Sequence, residues 1–341
     1  MDTLNTLGRS FRVTTFGESH GAAIGAVIDG CPPGVQLSVE DIQPFLDRRK
    51  PGTSDLVTPR RESDLVEILS GVFQGKTTGT PIGLIIRNQS ARSSDYEHLR
   101  DLFRPGHADR TYFEKYGIRD HRGGGRSSGR ETAGRVAAGA VAAICLKRRN
   151  ISIVGKIVEI HGNSDPVMFE QEIREARDRG DSVGGIISLT ITGCPSGLGD
   201  PVFGKLDGLL AGALMGIGGV KGIEIGAGYA AARMFGSEHN DPMIPGGYLS
   251  NNAGGILGGI SNGQDISIKL AVKPTPSICT PQSTIDLEGN PRTIVVGGRH
   301  DPCIALRIVP VAEAMAALVI LDTLLEQDKY AAWREPGSQE L

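Results

Sequence analysis

Aromatic residues are scarce in this chain: Phe, Trp and Tyr together make up 5% of 341 residues. A surface that stacks nucleic-acid bases needs aromatics interleaved with cations, so their scarcity weighs against that class. Net charge is also nearly absent, at -3, and gives no case for a nucleic-acid binder. Cysteine is sparse and unpatterned. Cys31, Cys145, Cys194, Cys279 and Cys303 are odd in number, far apart and without C-x-x-C spacing. That argues against a disulfide framework or a zinc site and fits reduced thiols in a cytoplasm. No His pair has metal-ligand spacing on a helix. The opening MDTLNTLGRSFRV has no apolar segment of signal-peptide type. The most apolar run, Val309–Leu325, is broken by Glu313 and Asp322 and is too short between them to span a bilayer. It reads as a buried helix.

Glycine is what the chain has in excess, 48 of 341 residues, about twice ordinary usage. With no collagen-like period, these glycines belong in turns and at close backbone approaches. Charge is unevenly placed. Residues 1–150 hold 22 Lys+Arg against 17 Asp+Glu, and the remainder 14 against 22. The early excess is mostly Arg, the residue suited to gripping carboxylate and phosphate.

Periodicity predicts strands over Phe11–Phe16, Ile24–Ile28, Ile151–Ile160, Ile186–Thr192, Ile223–Ile225, Asp265–Val272 and Thr293–Val296. Leu65–Phe73 and Ile82–Arg87 flank a hairpin signal at Gly75–Gly79. Helices are predicted from a Ser38/Asp41 capping box towards Lys50, with Pro44 awkward inside it. Others are predicted over Glu131–Arg149, Phe203–Gly216 and Pro310–Glu326. Strand runs with single helices and no regular βαβ alternation favour α+β with antiparallel sheets. No linker divides the chain, so one catalytic domain over 1–341 is expected. The irregular Ser250–Gly263 stretch is long enough to suggest a functional loop.

Three familiar motifs are approached. Gly71-Val-Phe-Gln-Gly75-Lys76-Thr77 is one residue short of a phosphate-binding P-loop, and a hairpin turn accounts for it better. No tract gives G-x-G-x-x-G inside a βαβ unit. Gly17-Glu18-Ser19-His20-Gly21 satisfies the serine-hydrolase G-x-S-x-G, but that elbow must run from strand into helix. The next segment, Ala22–Gly30, is short, carries Gly25 and ends at Pro32-Pro33.

Arg104–Arg135 is the richest region. It carries Arg104, Arg110, Lys115, Arg119, Arg122, Arg126, Arg130 and Arg135. Its Gly/Ser loop runs into the start of an Ala-rich helix, so free amides, a positive helix end and guanidiniums converge as an anion site. A solvated basic loop, including one that contacts nucleic acid, is the alternative. Among seven histidines, His20, His107 and His300 lie beside Gly or Pro and within two residues of Asp or Glu. His121 sits in the Arg-rich loop and fits either a functional or a structural place.

Eight phrases, in order, resemble the chorismate synthase family. They are Phe11-Arg-Val-Thr-Thr-Phe-Gly-Glu-Ser-His-Gly21, Asp47-Arg-Arg-Lys-Pro-Gly-Thr-Ser54, Arg104-Pro-Gly-His-Ala-Asp109, Arg122-Gly-Gly-Gly-Arg-Ser-Ser128, Lys221-Gly-Ile-Glu-Ile-Gly226, Asn251–Gly263, Lys273-Pro-Thr-Pro-Ser277 and Gly298-Arg-His-Asp-Pro-Cys303. The resemblance implies a sandwich with helices packed between antiparallel β-sheets, homotetramers, and a lyase that needs reduced FMN. Such an enzyme eliminates phosphate from 5-enolpyruvylshikimate 3-phosphate to give chorismate. It also implies site residues. His20 would serve the leaving phosphate. His107 would be the acid towards the anionic reduced flavin, and Asp301 would assist removal of the C6 proton. Arg49, Arg104 and Arg126 would grip the substrate's anions. The flavin contacts would be Arg126, Ser127, Ser128, Gly218, Gly219, Gly258, Lys273, Pro274, Thr275, Pro276, Ser277 and Arg299.

Two departures qualify this. Gly218-Gly219 stands where relatives often carry an amide side chain followed by Ala, which leaves only backbone contact. Asp55 stands where relatives often carry Arg, in the region that with Arg49 is assigned to NADP. An acidic residue there disfavours a dinucleotide phosphate, so NADPH is expected only as an external reductant. Competing classes are a serine hydrolase at Ser19 and a nucleic-acid module at Arg104–Arg135.

Overall fold

Alternating burial along Ile82–Arg87 and Ile266–Val272 marks strands with one face on a core. Each belongs to a different antiparallel sheet. In the computed structural model, which describes residues 5–52, 56, 62–89, 93–296, 300–331 and 333, the first sheet has five strands. They lie in the order Thr6–Leu7, Arg12–Gly17, Ala23–Asp29, Ile82–Arg87, Val66–Ile68. The second has four, in the order Val220–Ile225, Ile266–Val272, Gly185–Thr192, Ser152–Ile160. Thr15 faces Ala26 in one sheet and Ile268 faces Leu189 in the other.

The helices are α1 (Val39–Arg49), α2 (Asp109–Tyr116), α3 (Thr132–Lys147), α4 (Phe169–Asp178), α5 (Leu206–Met215), α6 (Gly236–His239) and α7 (Ala305–Ala331), of which α1, α3, α5 and α7 fill the space between the sheets. α3 lies on the first sheet with α1 beside it. α7 lies on the second with α5 beside it, and α3 and α7 pack on each other. This is the α+β sandwich that the resemblance implies. One core cluster runs through both sheets and the helices between them.

Small residues set the spacing of these layers. A methyl on Gly134 would come within 2.8 Å of the Gly25 carbonyl oxygen, and one on Gly139 within 2.6 Å of the Ala314 Cα. The Ala/Gly composition of α3 is therefore a packing requirement as well as a helix preference. α7 is long and apolar enough to cross a membrane by composition, yet 83% of its most apolar window is buried inside the protein. Its Asp322 carboxylate accepts the backbone N–H groups of Arg9, Ser10 and Phe11 at 2.7–3.0 Å. The entry to the first sheet is thereby tied to the helix on the second.

Several sequence expectations shift. α7 begins at Ala305, five residues before Pro310, because buried Ile308, Val311 and Ala312 hold the helix through the proline. α1 likewise continues through Pro44, its start held by the Asp41 carboxylate, which accepts from Ser38 N–H (2.8 Å) and Oγ–H (3.0 Å). The strand expected over Thr293–Val296 is Pro291–Ile294, paired with Gln282–Ile285. Periodicity did not mark α2 or α4. The Gly71–Thr77 segment is a tight hairpin, with Gln74 at φ 50° and Gly75 at φ 72°. Both central residues have the positive φ of a two-residue hairpin turn. Asp55 and Arg299 lie outside the described residues.

The layer spacing separates two glycines that helix propensity treats alike. Gly212 on α5 is exposed, with nothing within 4 Å of an added methyl. Gly212→Ala is expected to stabilise by about 0.5–1 kcal/mol. Gly139→Ala is expected to destabilise by about 1–3 kcal/mol through overpacking. Urea unfolding of both variants decides; equal shifts of the same sign would refute the spacing role.

Candidate active site

At one end of the sandwich the C-terminal ends of α1 and α5 meet the N-terminal ends of α3 and α7. Between them lies a cleft of about 390 Å³, a size suited to a small ligand. The N-termini of α3 and α7 favour negative charge there and the C-termini of α1 and α5 partly offset them, so the side chains decide the balance. Arg49, Arg104, Arg130, Lys273 and Arg307 line the cleft, against the carboxylates of Glu62 and Asp301.

Each of four guanidiniums is held by a carboxylate. Asp64, with no exposed side-chain surface, pairs with Arg49 at 3.0 Å through one oxygen and with Arg130 through the other. Burial alone would raise its pKa, but the two guanidiniums outweigh it and hold the carboxyl below its usual range. Every guanidinium nitrogen of Arg49 has a partner, since it donates also to Thr132 Oγ1 (3.1 Å) and the Gly129 carbonyl (2.7 Å). Burial and repulsion from Arg307 bring its own pKa down to about 10. Arg104 makes a two-point contact with Asp109, 2.8 Å at each end, and Arg307 holds Asp301 at 2.7 Å. Arg130 also bonds Asn88, whose amide in turn holds the Glu18 and Gly21 carbonyls. Its remaining nitrogen, Nη2, is buried without a hydrogen-bond partner among the described residues, as is Thr275 Oγ1. Both residues line the cleft.

His107 lies 2.9 Å from the Pro105 carbonyl through Nδ1 and 2.9 Å from Ser277 Oγ through Nε2. A carbonyl only accepts, so Nδ1 carries the proton and Nε2 accepts from the serine. Burial, then the Arg104 charge, push the pKa of His107 down to about 4, and the ring is neutral at pH 7. Lys273 donates to the Gly106 carbonyl at 2.7 Å, and its pKa is lowered by burial and by Lys221. His20 stands behind this wall. Its Nδ1 is 3.1 Å from Ser19 Oγ, and its ring meets cleft residue Tyr96 edge-on at 5.2 Å. A methyl on cleft residue Gly123 would lie 2.6 Å from its Cε1.

The fold thus gathers Arg49, Arg104, His107, Ser127, Ser128, Gly218, Gly219, Lys273, Pro274, Thr275, Pro276, Ser277 and Asp301 along one cleft, with His20 adjoining. Gly219, at φ 99°, presents bare backbone. Two expected residues stand elsewhere. Arg126 turns to the first sheet, donating to the Gly17 carbonyl and to Thr15 Oγ1 (2.7 Å). Gly258 is exposed in the hairpin turn between Ile256–Leu257 and Ile260–Ser261. Asp64, Arg130, Tyr96 and Arg307 went unselected in the sequence. Arg130 was visible as one of eight cations, and Arg307 lies six residues after Asp301.

The two competing classes lack their geometry. Ser19 sits in a turn between two antiparallel strands, where a hydrolase elbow needs a strand running into a helix. The cations of the Arg-rich segment do not form a free basic face: Arg110 pairs with Glu114, Arg122 with Asp120 and Arg135 with Glu131.

The His107 shift has a consequence for stability. Its ordinary pKa of about 6.5 applies in the unfolded chain. Between pH 6.5 and 4 the unfolded chain therefore binds the extra proton, and stability falls as pH falls through that window. The loss attributable to this group is on the order of 3 kcal/mol. Relative to the parent, His107→Gln is expected to flatten urea-derived stability between pH 6.5 and 4; parallel curves would refute the buried neutral ring.

The sequence profile of the chorismate synthase family matches residues 11–325. A chorismate synthase of Syntrophus aciditrophicus (strain SB) is 57% identical, covering 95% of this chain and 98% of that one. One of Syntrophobacter fumaroxidans is 56% identical, covering 94% and 97%. A crystal structure of chorismate synthase superposes with a TM-score of 0.74 at 32% identity, over 94% of this chain and 93% of the other. The chain belongs to the chorismate synthase family.

Proposed function

We propose that the cleft binds 5-enolpyruvylshikimate 3-phosphate beside reduced FMN and eliminates phosphate to give chorismate. The observation that carries this reading is the convergence of five cations, two helix N-termini and the unpartnered Arg130 Nη2 on one cleft. The substrate has two carboxylates and a phosphate; Arg104, Arg130 and Lys273 are the cations to answer them, with the paired Arg49 and Arg307 adding positive field behind. The same cleft fits a flat, phosphate-bearing cofactor. Thr275 Oγ1 is buried without a partner, and the bare backbone of Gly218-Gly219 leaves room for a ring. Ser127, Ser128 and Lys273–Ser277 are the residues to hold it. Reduced FMN held there would supply transient one-electron chemistry to the elimination, with no net redox change.

The chain's own groups bind, orient and move protons. In the elimination the ester C–O bond breaks, phosphate leaves with its electron pair, and the C6 hydrogen is lost as the new C=C forms. His20, supported by Ser19, serves the departing phosphate. Asp301 assists removal of the C6 proton. His107 is neutral in the free protein, with Nε2 accepting from Ser277. Negative charge brought next to it raises its pKa and makes it a proton donor. Arg49, bonded at each nitrogen by Asp64, Thr132 or Gly129 and only 2% exposed in its side chain, contributes mainly positive field and offers no exposed edge to a dinucleotide phosphate. NADPH is therefore an external reductant in this reading.

Cytoplasmic residence and a homotetramer complete the proposal. The latter is supported by Tyr229, Phe235, Met243 and Leu249, exposed by 68–77% along one excursion of the chain.

Two outcomes are expected. Anaerobic phosphate release should need dithionite-reduced FMN, and turnover with oxidised FMN and no reductant would refute the cofactor assignment. His20→Ala and His107→Ala should each lower kcat by roughly 10²-fold or more, the scale of a lost general acid. Near-parental kcat in both variants would remove their assigned roles, and a change confined to KM would reassign them to binding.

A further inference from the structure

Arg307 lies on the first turn of α7, lines the cleft and is 19% exposed in its side chain. Two edges of its planar group are in use. Nη1 donates to Asp301 Oδ2 at 2.7 Å, and Nε donates to the backbone carbonyl of Arg49 at 3.2 Å. Arg49 is the last residue of α1, so its carbonyl is one of those a helix end leaves without an internal partner. The guanidinium therefore satisfies the end of one helix while holding a carboxylate that precedes another.

Asp301 needs such a support. It lies four residues before α7, outside regular structure, and is 8% exposed at the cleft wall. A short acidic side chain on a loop can turn about both of its torsions. A proton acceptor works only when its oxygen stays within hydrogen-bond reach of the proton it takes. Arg307 is fixed at its base by the helix and at Nε by α1, which makes it a strut of set length. Lys would retain the charge but not the second, perpendicular anchor.

We propose that Arg307 is the positioning residue for the Asp301 carboxylate, acting through that group rather than on the substrate. The inference rests on the reading of Asp301 as the group that assists loss of the ring proton. Arg307 joins the α1 end, where Arg49 meets Asp64, to the segment that carries Asp301, so its side chain ties two cleft walls at the place where that carboxylate sits.

The test combines Arg307→Met and Arg307→Lys with Asp301→Ala in a double-mutant cycle. Readouts are kcat and KM for anaerobic phosphate release, the Kd for oxidised FMN by fluorescence titration, and ligand-free crystal structures. Arg307→Met is expected to lower kcat by about tenfold to a hundredfold, the scale of a group misplaced by an ångström. KM and the FMN Kd should change less than about threefold, and Arg307→Lys should recover part of kcat. In the Asp301→Ala background Arg307→Met should add less than about twofold, since residues acting as one unit are not additive. The ligand-free Arg307→Met crystal should show the Asp301 carboxylate turned from its present direction.

A full additional loss in the Asp301→Ala background would overturn the proposal, as would an unmoved carboxylate. A rise in KM alone would make Arg307 a grip on the substrate. If Arg307→Met does not fold, Arg307→Lys carries the same cycle. Parental kcat in Asp301→Ala would instead sink the reading of Asp301 itself, an outcome separable from failure of the strut.

Discussion

Asp64 has no exposed side-chain surface and faces two guanidiniums. Three of the elements around the cleft are connected to that carboxylate. Through Arg49 it reaches the end of α1 and, at Thr132 and Gly129, the start of α3. Through Arg130 it reaches Asn88 and so the Glu18–Gly21 turn that carries Ser19 and His20. Breaking a buried pair by removing one partner costs about 3–5 kcal/mol, because it strands the other charge. The three groups are thus mutually obligatory, and the elements that bear them can meet in only one arrangement.

Pairing carries a further effect. A guanidinium held at two or three points has little rotamer freedom left to lose when an anion arrives, which is the benefit of preorganisation. Yet pairing does not neutralise the space. Asp64 serves two cations, and Arg49 still feels repulsion from Arg307 and Arg130. Positive potential therefore persists where the N-termini of α3 and α7 also point. The cleft is rigid because its charges are paired and attractive to anions because the pairing is incomplete.

Much of this is legible in the sequence. Strands such as Ile266–Val272 alternate cleanly, and the Ala-rich α3 declares itself by composition. Phrases such as Lys273–Ser277 point to the cleft because a loop that must hold a fixed backbone against a ligand spends residues on Pro and Gly. The start of α7 is hidden because a proline five residues inside a helix signals an end in isolation, and only packing of Ile308 and Val311 overrides it. Asp64 and Arg307 are hidden for another reason. Nothing local distinguishes one acidic or basic residue from its neighbours, since their roles arise from partners 6 to 258 positions away. Arg126 shows the converse. It sits in the most anion-like phrase of the chain, but the loop's glycines turn its side chain to the carbonyls of the first sheet.

The tie between Asp322 on α7 and the backbone of Arg9, Ser10 and Phe11 bears on the order of events in synthesis. α7 comes after every strand of both sheets in the chain, yet it is the helix on which the second sheet and α3 both rest. While a ribosome is still making the preceding three hundred residues, the inner face of the second sheet and the side of α3 that α7 will cover are open, and exposed apolar surface of that kind invites association with other chains. The first strand segment waits for a carboxylate made last, and the cleft waits for Asp301 and Arg307 from the same late stretch. A polypeptide stopped short of α7 would carry most of the cleft residues and no cleft, so ligand protection begins only once translation has passed that helix.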